Sequence, residues 1–256
     1  MKALITGASS GLGRDMARIL SDMGYDIIAV ARREERLSEL KNELKTNVEC
    51  VVCDISTEEG AKSLSRYAKE TDVLINNAGF GVFGEFSENE LSAELKMLDT
   101  NVRAVHIITK NFLKEFRRKN SGYILNVSSL AAFFPGPLFG AYYASKSYVL
   151  RLSQSIAEEL RREKSNVKIS VLCPGPVHTE FEKASGVSFG NGTEKVKGII
   201  LESRNVAEYA IKKMFKGKGV IVPGFFMKMG VFGRRILSDK MLAKALYAVQ
   251  SKKIVK

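Results

Sequence analysis

The sequence predicts one α/β domain whose mostly parallel, doubly wound sheet has helices on both faces. Strand-like apolar runs alternate with helix-length segments along the whole chain of 256 residues. Several of these runs are nearly continuous Val, Ile and Leu, which is typical of strands buried on both faces of a parallel sheet. No linker, low-complexity tract or internal repeat interrupts the alternation. Repeated strand–helix order implies right-handed crossovers within a single domain, residues 1–256.

The individual elements follow from the spacing of apolar residues, which predicts about seven strands. The strand-like runs are 2–6, 25–31, 48–53, 72–76, 122–128, 167–173 and 219–223. The segments that favour helices are 33–46, 58–70, 89–119, 140–164 and 204–216. Two regions depart from the alternation. Residues 178–200 are rich in Gly and Phe, and we expect them to form a mobile apolar flap. Residues 224–256 follow the last strand and combine aromatic, Met and basic side chains.

Positive charge concentrates at the end of the chain. The net charge is +12, and residues 216–256 supply +9 of it, since ten Lys and Arg residues face one acid, Asp239. A basic amphipathic end of this kind could contact an acidic lipid surface, a nucleic acid or an anionic substrate. It could equally form a solvated tail, contact another subunit or pack on the core. We expect no nucleic-acid partner and leave open whether the segment touches a membrane surface.

Composition argues against several classes of protein. No apolar run reaches the roughly 18 residues of a membrane span, and the N-terminus lacks the pattern of a secretory signal. Cys50 and Cys53 lie three apart on a predicted strand and therefore face opposite sides of the sheet, which is poor metal-ligand geometry. With three cysteines and only two histidines, a disulfide framework, a metal site and a Ser-His-Asp triad are all disfavoured. We expect a cytoplasmic protein without a bound metal.

A glycine-rich turn follows the first predicted strand. Gly7, Gly11 and Gly13 lie between that strand and a helical pattern, in the spacing GxxxGxG. Such a turn lets backbone approach a pyrophosphate and directs helix N-terminal N–H groups at the anion. The glycines therefore predict a dinucleotide site, although a tight turn without a ligand would show the same residues.

The end of the second strand bears on the cofactor. An acid near this position would grip a ribose 2′-hydroxyl and favour NAD, but Ala31 stands there. Arg32 and Arg33 offer guanidinium groups suited to a 2′-phosphate, so NADP is favoured over NAD. Alternatively, both arginines open a solvated helix. Asp54 ends the third strand and could accept from an adenine amino group or cap the next helix.

Tyr142 and Lys146 share one face at the start of a long predicted helix. A free phenol has a pKa of about 10, too high for acid–base work near neutral pH. An ammonium about 4 Å away supplies about 4 kcal/mol at an effective dielectric near 20. We therefore expect Lys146 to lower the pKa of Tyr142. Tyr143 is also a neighbour of Lys146, so helix geometry alone does not choose between the tyrosines.

Serine hydroxyls end the fifth predicted strand at Ser128 and Ser129. The carboxyl edge of a parallel sheet is where ligands bind in open α/β folds. A hydroxyl delivered there can donate to a substrate carbonyl oxygen, although it can also serve as a turn or capping group.

Together these motifs resemble the short-chain dehydrogenase/reductase family. The resemblance covers residues 1 to about 180 and rests on the order and spacing of the glycine turn, Asn76–Gly79, Asn101, Ser129, Tyr142, Lys146 and Pro174-Gly175. The family's spacing selects Ser129 and Tyr142 over their neighbours. Ser10 departs from NADP-using members that carry a basic residue there, so the NADP preference rests on Arg32 and Arg33.

The resemblance implies a Rossmann-type fold and a hydride transfer between NADP(H) and a carbonyl or secondary alcohol. The implied catalytic set is Asn101, Ser129, Tyr142 and Lys146. The implied cofactor-binding residues are Gly7, Ser9, Ser10, Gly11, Leu12, Gly13, Arg32, Arg33, Asp54, Asn77, Ala78, Gly79, Tyr142, Lys146, Pro174, Gly175, Val177 and Thr179. Asn101 would interrupt a helix, and Thr179 would contact the nicotinamide carboxamide. Members are often homodimers or homotetramers that meet through helices 89–119 and 140–164.

The substrate pocket is expected to be apolar. Its candidate residues are aromatic or aliphatic: Phe133, Phe134, Phe139, Phe181, Val187 and Phe189. They are compatible with a fatty, steroid-like or aromatic carbonyl compound, or with ordinary core packing.

Overall fold

The computed structural model describes residues 1–181, 201–234 and 236–251. The strands of its main sheet are β1 Lys2–Thr6, β2 Asp26–Ala31, β3 Val48–Val52, β4 Val73–Asn76, β5 Tyr123–Val127, β6 Lys168–Leu172 and β9 Val220–Ile221. These seven strands are all parallel and lie in the order β3-β2-β1-β4-β5-β6-β9. Two short strands, β7 Val177–His178 and β8 Leu201–Glu202, pair separately. The predicted sheet is confirmed.

Helices cover both faces of this sheet. They are α1 Gly11–Asp22, α2 Glu34–Glu43, α3 Glu58–Ser63, α4 Leu91–Leu98, α5 Val105–Arg118, α6 Gly140–Arg162, α7 Ser203–Phe215, α8 Phe225–Gly233 and α9 Asp239–Gln250. Alternate residues of β1 show the two layers. Ala3 and Ile5 pack with α1, α2 and α7 in one buried cluster, whereas Leu4 packs with α3, α5 and α6 in another. Burial on both faces explains why the strands are almost wholly apolar.

Cys50 and Cys53 lie on opposite layers, as their spacing predicts. Cys50 packs against the first cluster and Cys53 against the second. Within the described residues, no group of three His, Cys, Asp or Glu side chains is arranged to hold a metal ion.

The register aligns the carboxyl ends of the central strands. Thr6 pairs with Asn76, and Asn76 pairs with Asn126. A buried amide ladder fixes this alignment, because Asn76 Nδ2 donates to Asn126 Oδ1 at 2.8 Å and to Thr109 Oγ1 of α5 at 3.0 Å. The chain order reverses between β1 and β4, which is the switch point where open α/β sheets bind ligands.

Two predicted helices are broken in the structure. The predicted helix 89–119 consists of α4, a π-helical turn Asp99–Ala104 and α5. The predicted helix 58–70 ends at Ser63 and continues as a 3₁₀ turn, Leu64–Tyr67. Thr57 caps α3 by accepting from Gly60 N at 3.0 Å. The alternative in which Asp54 caps this helix is therefore wrong.

The segment after β9 forms α8 and α9. Met227 of α8 and Leu242 of α9 are buried, so both helices pack on the protein with one face. Nowhere in the described ranges is a helix both long enough and apolar enough to cross a bilayer. Of the predicted flap, residues 182–200 lie outside the described part of the chain.

Candidate active site

A cavity of about 1110 Å³ opens at the carboxyl ends of the central strands. It brings together nearly all the predicted site residues, from loops that are far apart in sequence. Of the predicted catalytic set, Ser129, Tyr142 and Lys146 line it. The predicted cofactor-binding residues on its wall are Gly7, Ser9, Ser10, Gly11, Leu12, Arg32, Arg33, Asp54, Asn77, Ala78, Gly79, Pro174, Gly175, Val177 and Thr179. Gly13 and Asn101 lie behind this wall.

The glycine turn is shaped by close contacts that a side chain would prevent. Gly7 has φ +68° and Gly11 has φ +51°, in the left-handed region that favours glycine. A Cβ on Gly13 would lie 2.3 Å from the carbonyl oxygen of Gly7, so Gly13 lets α1 pack against the turn. Ser10 precedes α1 without a side-chain hydrogen bond to its first turn. The first N–H groups of α1 are thus not capped by that residue.

The two predicted phosphate-binding arginines differ in their surroundings. Arg33 donates to Ser9 Oγ and Ser10 Oγ, both at 3.1 Å, and forms an ion pair with Glu180 at 2.8 Å. Because Arg33 donates to it, the pKa of Glu180 is lowered. Within the described residues Arg32 makes no hydrogen bond or ion pair. Arg33 therefore joins the glycine turn to the segment that follows β7.

Asp54 lies beside the arginine end of the cavity. Its Oδ1 accepts from the backbone N of Ser56 at 3.0 Å and from Ser56 Oγ at 2.8 Å. Burial raises the pKa of Asp54, but these hydrogen bonds and the charges of Arg32 and Lys96 outweigh burial and lower it. The carboxylate is therefore ionised at neutral pH and faces the cavity as an acceptor.

Adjacent tyrosines of α6 have different partners. Tyr142 is 7% exposed and close enough to Ser129 for that hydroxyl to act on its pKa. The Tyr143 hydroxyl instead accepts from Gln250 Nε2 at 2.9 Å. The Ser128 hydroxyl is already engaged, since its Oγ donates to the Lys146 carbonyl at 2.7 Å. The serine and the tyrosine that meet in the cavity are therefore Ser129 and Tyr142.

The expected effect of Lys146 on Tyr142 is wrong for the protein without cofactor. Burial raises the pKa of Tyr142, and the Ser129 hydroxyl only partly offsets this rise. Lys146 Nζ lies 5.8 Å from the centre of the Tyr142 ring and donates to the Val127 carbonyl at 3.1 Å. Burial also lowers the pKa of Lys146 itself, to about 8. The expectation considered only the attraction between the two charges and left out the cost of burying each.

Asn101 occupies the π-helical turn between α4 and α5. Its Nδ2 donates to the Phe80 carbonyl at 2.9 Å and to Ser145 Oγ at 3.1 Å, and its Oδ1 accepts from Phe80 N at 3.2 Å. A Cβ on Gly79 would lie 2.8 Å from Asn101 Oδ1 and 3.0 Å from Lys146 Nζ. Gly79 thus lets the amide and the ammonium approach the same backbone segment.

Comparison with known proteins decides the family. A profile described as short chain dehydrogenase matches residues 1–187. The chain belongs to the short-chain dehydrogenase family. It is an oxidoreductase of that family, and the resemblance found in its motifs is confirmed.

Relatives of this short-chain dehydrogenase share most of its length. An uncharacterised oxidoreductase of Staphylococcus epidermidis is 29% identical over 213 residues, covering 82% of this chain and 88% of the relative. A farnesol dehydrogenase of Aedes aegypti is 29% identical over 218 residues, covering 80% of this chain and 86% of the relative.

Solved structures share its fold. The alcohol dehydrogenase of Thermococcus sibiricus, complexed with 5-hydroxy-NADP, has a TM-score of 0.73 at 28% identity and covers 87% of this chain and 95% of its own. A family member from Burkholderia phymatum in complex with NAD has a TM-score of 0.82 at 24% identity, and the match covers 91% of this chain and 92% of that structure.

Part of the cavity wall of this short-chain dehydrogenase was missed by the sequence prediction. One face of α9 lines the cavity with Leu242, Ala245, Leu246, Val249 and Gln250. Gln250 is 6% exposed, and its Oε1 has no hydrogen-bond partner in the described structure. The spacing i, i+3, i+4, i+7 of the apolar residues predicts a buried helix face. Nothing in that spacing says which surface the face covers.

The aromatic wall is partly as predicted. Phe134, Phe139 and Phe181 line the cavity, and Phe139 stacks on Tyr142 with ring centres 4.5 Å apart. Phe133 is buried in a core cluster instead. Val187 and Phe189 lie outside the described residues. Phe80 and Phe83 also line the cavity and were not predicted.

Proposed function

We propose that this chain transfers a hydride between NADP(H) and a carbonyl or secondary alcohol of an apolar substrate. The observation that carries the proposal is that Ser129, Tyr142 and Lys146 share one cavity with the glycine turn. The phosphate-binding and acid–base ends of the site are thereby joined in one space. The relationship to short-chain dehydrogenases supports the same chemistry.

The glycine turn fits a dinucleotide. Gly7 and Gly11 have no side chain that could keep a ligand away from the backbone. The N-terminus of α1 presents N–H groups that the Ser10 side chain does not cap. This arrangement suits a pyrophosphate. Asn77, Ala78 and Gly79 would flank the adenosine and ribose, and Pro174 to Thr179 would close over the nicotinamide. When bound, the nicotinamide supplies or accepts the hydride.

Acid–base work falls to Tyr142. In the reducing direction it must be protonated, and its raised pKa keeps the phenol neutral at physiological pH. It would donate its proton to the substrate oxygen while Ser129 donates a second hydrogen bond to the same atom. Lys146 would bind the nicotinamide ribose hydroxyls and hold a proton that can replace the one lost. Asn101 would position this relay through the Phe80 backbone.

Arg32 supports NADP over NAD. Its guanidinium has no hydrogen-bond partner in the described structure, and Arg32 lies on the cavity wall next to Ala31. An acidic residue at position 31 would repel a 2′-phosphate, and alanine does not. Arg33 would also bind the 2′-phosphate once its ion pair with Glu180 breaks. The Thermococcus sibiricus structure holds an NADP derivative and the Burkholderia phymatum structure holds NAD, so the preference rests on the two arginines.

Aromatic residues around Tyr142 support an apolar substrate. Phe139 stacks on Tyr142, and Phe181 lies 5.5 Å from it between ring centres. The farnesol dehydrogenase among the relatives acts, by its name, on an apolar alcohol. A homodimer or homotetramer remains a prediction.

The test is a panel of ketones, aldehydes and alcohols, followed by NADPH absorbance at neutral pH. We expect turnover of apolar carbonyl compounds and a lower KM for NADPH than for NADH. Cofactor binding without turnover of any compound would instead indicate a non-catalytic nucleotide-binding protein. An equal or lower KM for NADH would overturn the cofactor preference.

A further inference from the structure

One face of α8 is apolar and exposed. Phe225, Met229 and Phe232 recur at i, i+4 and i+7 and are 70%, 55% and 64% exposed, and Phe226 beside them is 59% exposed. The opposite face holds the helix on the protein, because Met227 is buried and Val231 packs against a core cluster. The exposed side chains are therefore not the helix's means of attachment to the fold.

The exposed apolar surface continues beyond α8. Ile236 and Leu237, between the two helices, are 79% and 44% exposed, and Met241 of α9 is 58% exposed. Large exposed apolar areas mark interaction sites rather than ordinary surface. We call the exposed side chains of α8, of this connection and of the first turn of α9 the apolar ridge.

Basic residues predominate in the segment that carries the apolar ridge. Residues 225–251 include the basic residues Lys228, Arg234, Arg235, Lys240 and Lys244 and one acidic residue, Asp239. Lys240 and Lys244 are both exposed and have no ion pair in the described part of the chain. Aromatic and aliphatic side chains with lysines beside them match the interface of an anionic bilayer, which offers acyl chains beneath negative headgroups. The surface of an ordinary partner protein does not have a layer of negative charge above an apolar interior that side chains can enter.

The ridge lies on the outer side of the elements that cover the cavity. The inner face of α9 lines the cavity with Leu242, Leu246 and Val249, and Val249 is itself 54% exposed. On α8, a Cβ at Gly175 would lie 2.7 Å from Met227 Sδ, so this helix packs on the Pro174-Gly175 segment of the cofactor site. A surface that binds to the ridge would therefore adjoin the wall of the active site.

We propose that the apolar ridge docks on an anionic lipid bilayer and that the enzyme takes an apolar carbonyl or alcohol substrate from that bilayer. The second half rests on the proposed function. The ridge would enter the interface with its Phe and Ile side chains while the lysines meet the headgroups. The α9 wall would then lie between lipid and cavity.

Sedimentation of the full chain with vesicles tests the docking without any assay of activity. The probes are phosphatidylcholine vesicles with and without phosphatidylserine. The apolar variant is Phe225→Ser with Phe232→Ser, and its matched control is Phe86→Ser, since Phe86 is 77% exposed and is not part of the ridge. The charge variant is Lys240→Gln with Lys244→Gln.

Another pair of exposed lysines four residues apart provides the control for the charge variant. Lys110→Gln with Lys114→Gln, on α5, removes the same charge from a different helix. Since each lysine near an anionic surface contributes about 1 kcal/mol, loss of the Lys240 and Lys244 charges should weaken binding about 30-fold.

We expect wild type and both controls to bind anionic vesicles and both ridge variants to lose at least about tenfold in affinity. Binding to neutral vesicles should be weaker. The docking is refuted if wild type stays in the supernatant with anionic vesicles, or if the controls lose as much as the ridge variants. Sedimentation velocity without lipid adds a further check. If the Phe substitutions dissociate an oligomer and no vesicle binding is seen, the ridge is an interface between copies of this chain.

The substrate half is tested by comparing a long-chain ketone carried in anionic vesicles with a short water-soluble ketone. The Phe225 and Phe232 variant should raise the apparent KM at least about tenfold for the long-chain ketone and leave the short ketone unchanged. An equal effect on both refutes delivery from the bilayer. Absence of turnover with either ketone, with vesicle binding intact, refutes the proposed function and this substrate while the docking stands.

Discussion

Replacing Lys146 by Met should change how stability depends on pH. Lys146 is 4% exposed, and its ammonium donates to the Val127 carbonyl. Methionine keeps much of the side-chain volume but cannot take up a proton. Losing the hydrogen bond shifts the stability of the variant by a constant amount, whereas losing the titration changes the slope against pH. The slope is therefore the informative quantity.

Its magnitude follows from the pKa. Burial lowers the pKa of Lys146 from 10.5 to about 8. At 1.36 kcal/mol for each pH unit, charging the buried amine costs the folded state about 3 kcal/mol. Between those two pKa values the unfolded chain holds the proton and the folded chain has released it. The free energy of unfolding of wild type therefore rises with pH in this window, and the lysine contributes a constant penalty below it. From pH 7 to pH 9.5 the rise is about 2 kcal/mol.

Urea unfolding of the cofactor-free protein across this range is the assay. Groups present in both proteins largely cancel when wild type is compared with Lys146→Met. The stability of the variant relative to wild type should fall by about 2 kcal/mol between the two pH values. Lys110→Met, which removes an exposed lysine, should track wild type. If the free energies of unfolding of wild type and Lys146→Met changed in parallel with pH, burial would not lower the pKa of Lys146.

Three further changes test other parts of the site. Gly79→Ala should lower kcat at least about tenfold by pushing a methyl group onto the nearby amide and ammonium, whereas Gly219→Ala, which meets open space, should keep wild-type kinetics. Glu180→Gln should lower the KM for NADPH by releasing its arginine partner, and an equal change for NADH would contradict that reason. Ala31→Asp with Arg32→Ala should cut the NADPH:NADH ratio of kcat/KM about tenfold or more, and an unchanged ratio would show that Arg32 does not sense the 2′-phosphate.

Much of the fold could be predicted because one physical pattern determines it. Strands buried on both faces must be apolar throughout, so β1 and β2 are recognisable from sequence alone. The break between α4 and α5 is different. Asn101 lies in that turn, and its side chain donates to the Phe80 carbonyl, 21 residues away in sequence. The family resemblance indicated this interruption, but hydrophobic periodicity did not.

The candidate site was predictable in its membership and less so in its electrostatics. Motif spacing selected Ser129 and Tyr142, and both line the cavity. The pKa of Tyr142 was not predictable, because four-residue spacing on a helix says nothing about how deeply the side chains are buried. Nor does it show that the Lys146 ammonium donates to the Val127 carbonyl. The α9 wall was missed for a related reason. A buried helix face shows in the sequence, but what it covers depends on tertiary packing.

The most direct test of the account compares Tyr142→Phe with Tyr143→Phe in steady-state reduction of a carbonyl substrate, with NADPH binding measured by fluorescence. Tyr142→Phe should lower kcat by about a hundredfold to ten-thousandfold, the usual contribution of a general acid, and bind NADPH nearly as well as wild type. Tyr143→Phe should keep most of the activity. A Tyr142→Phe enzyme that turns over normally, or a Tyr143→Phe enzyme that is the more damaged of the two, would contradict the assignment of Tyr142 as the proton donor.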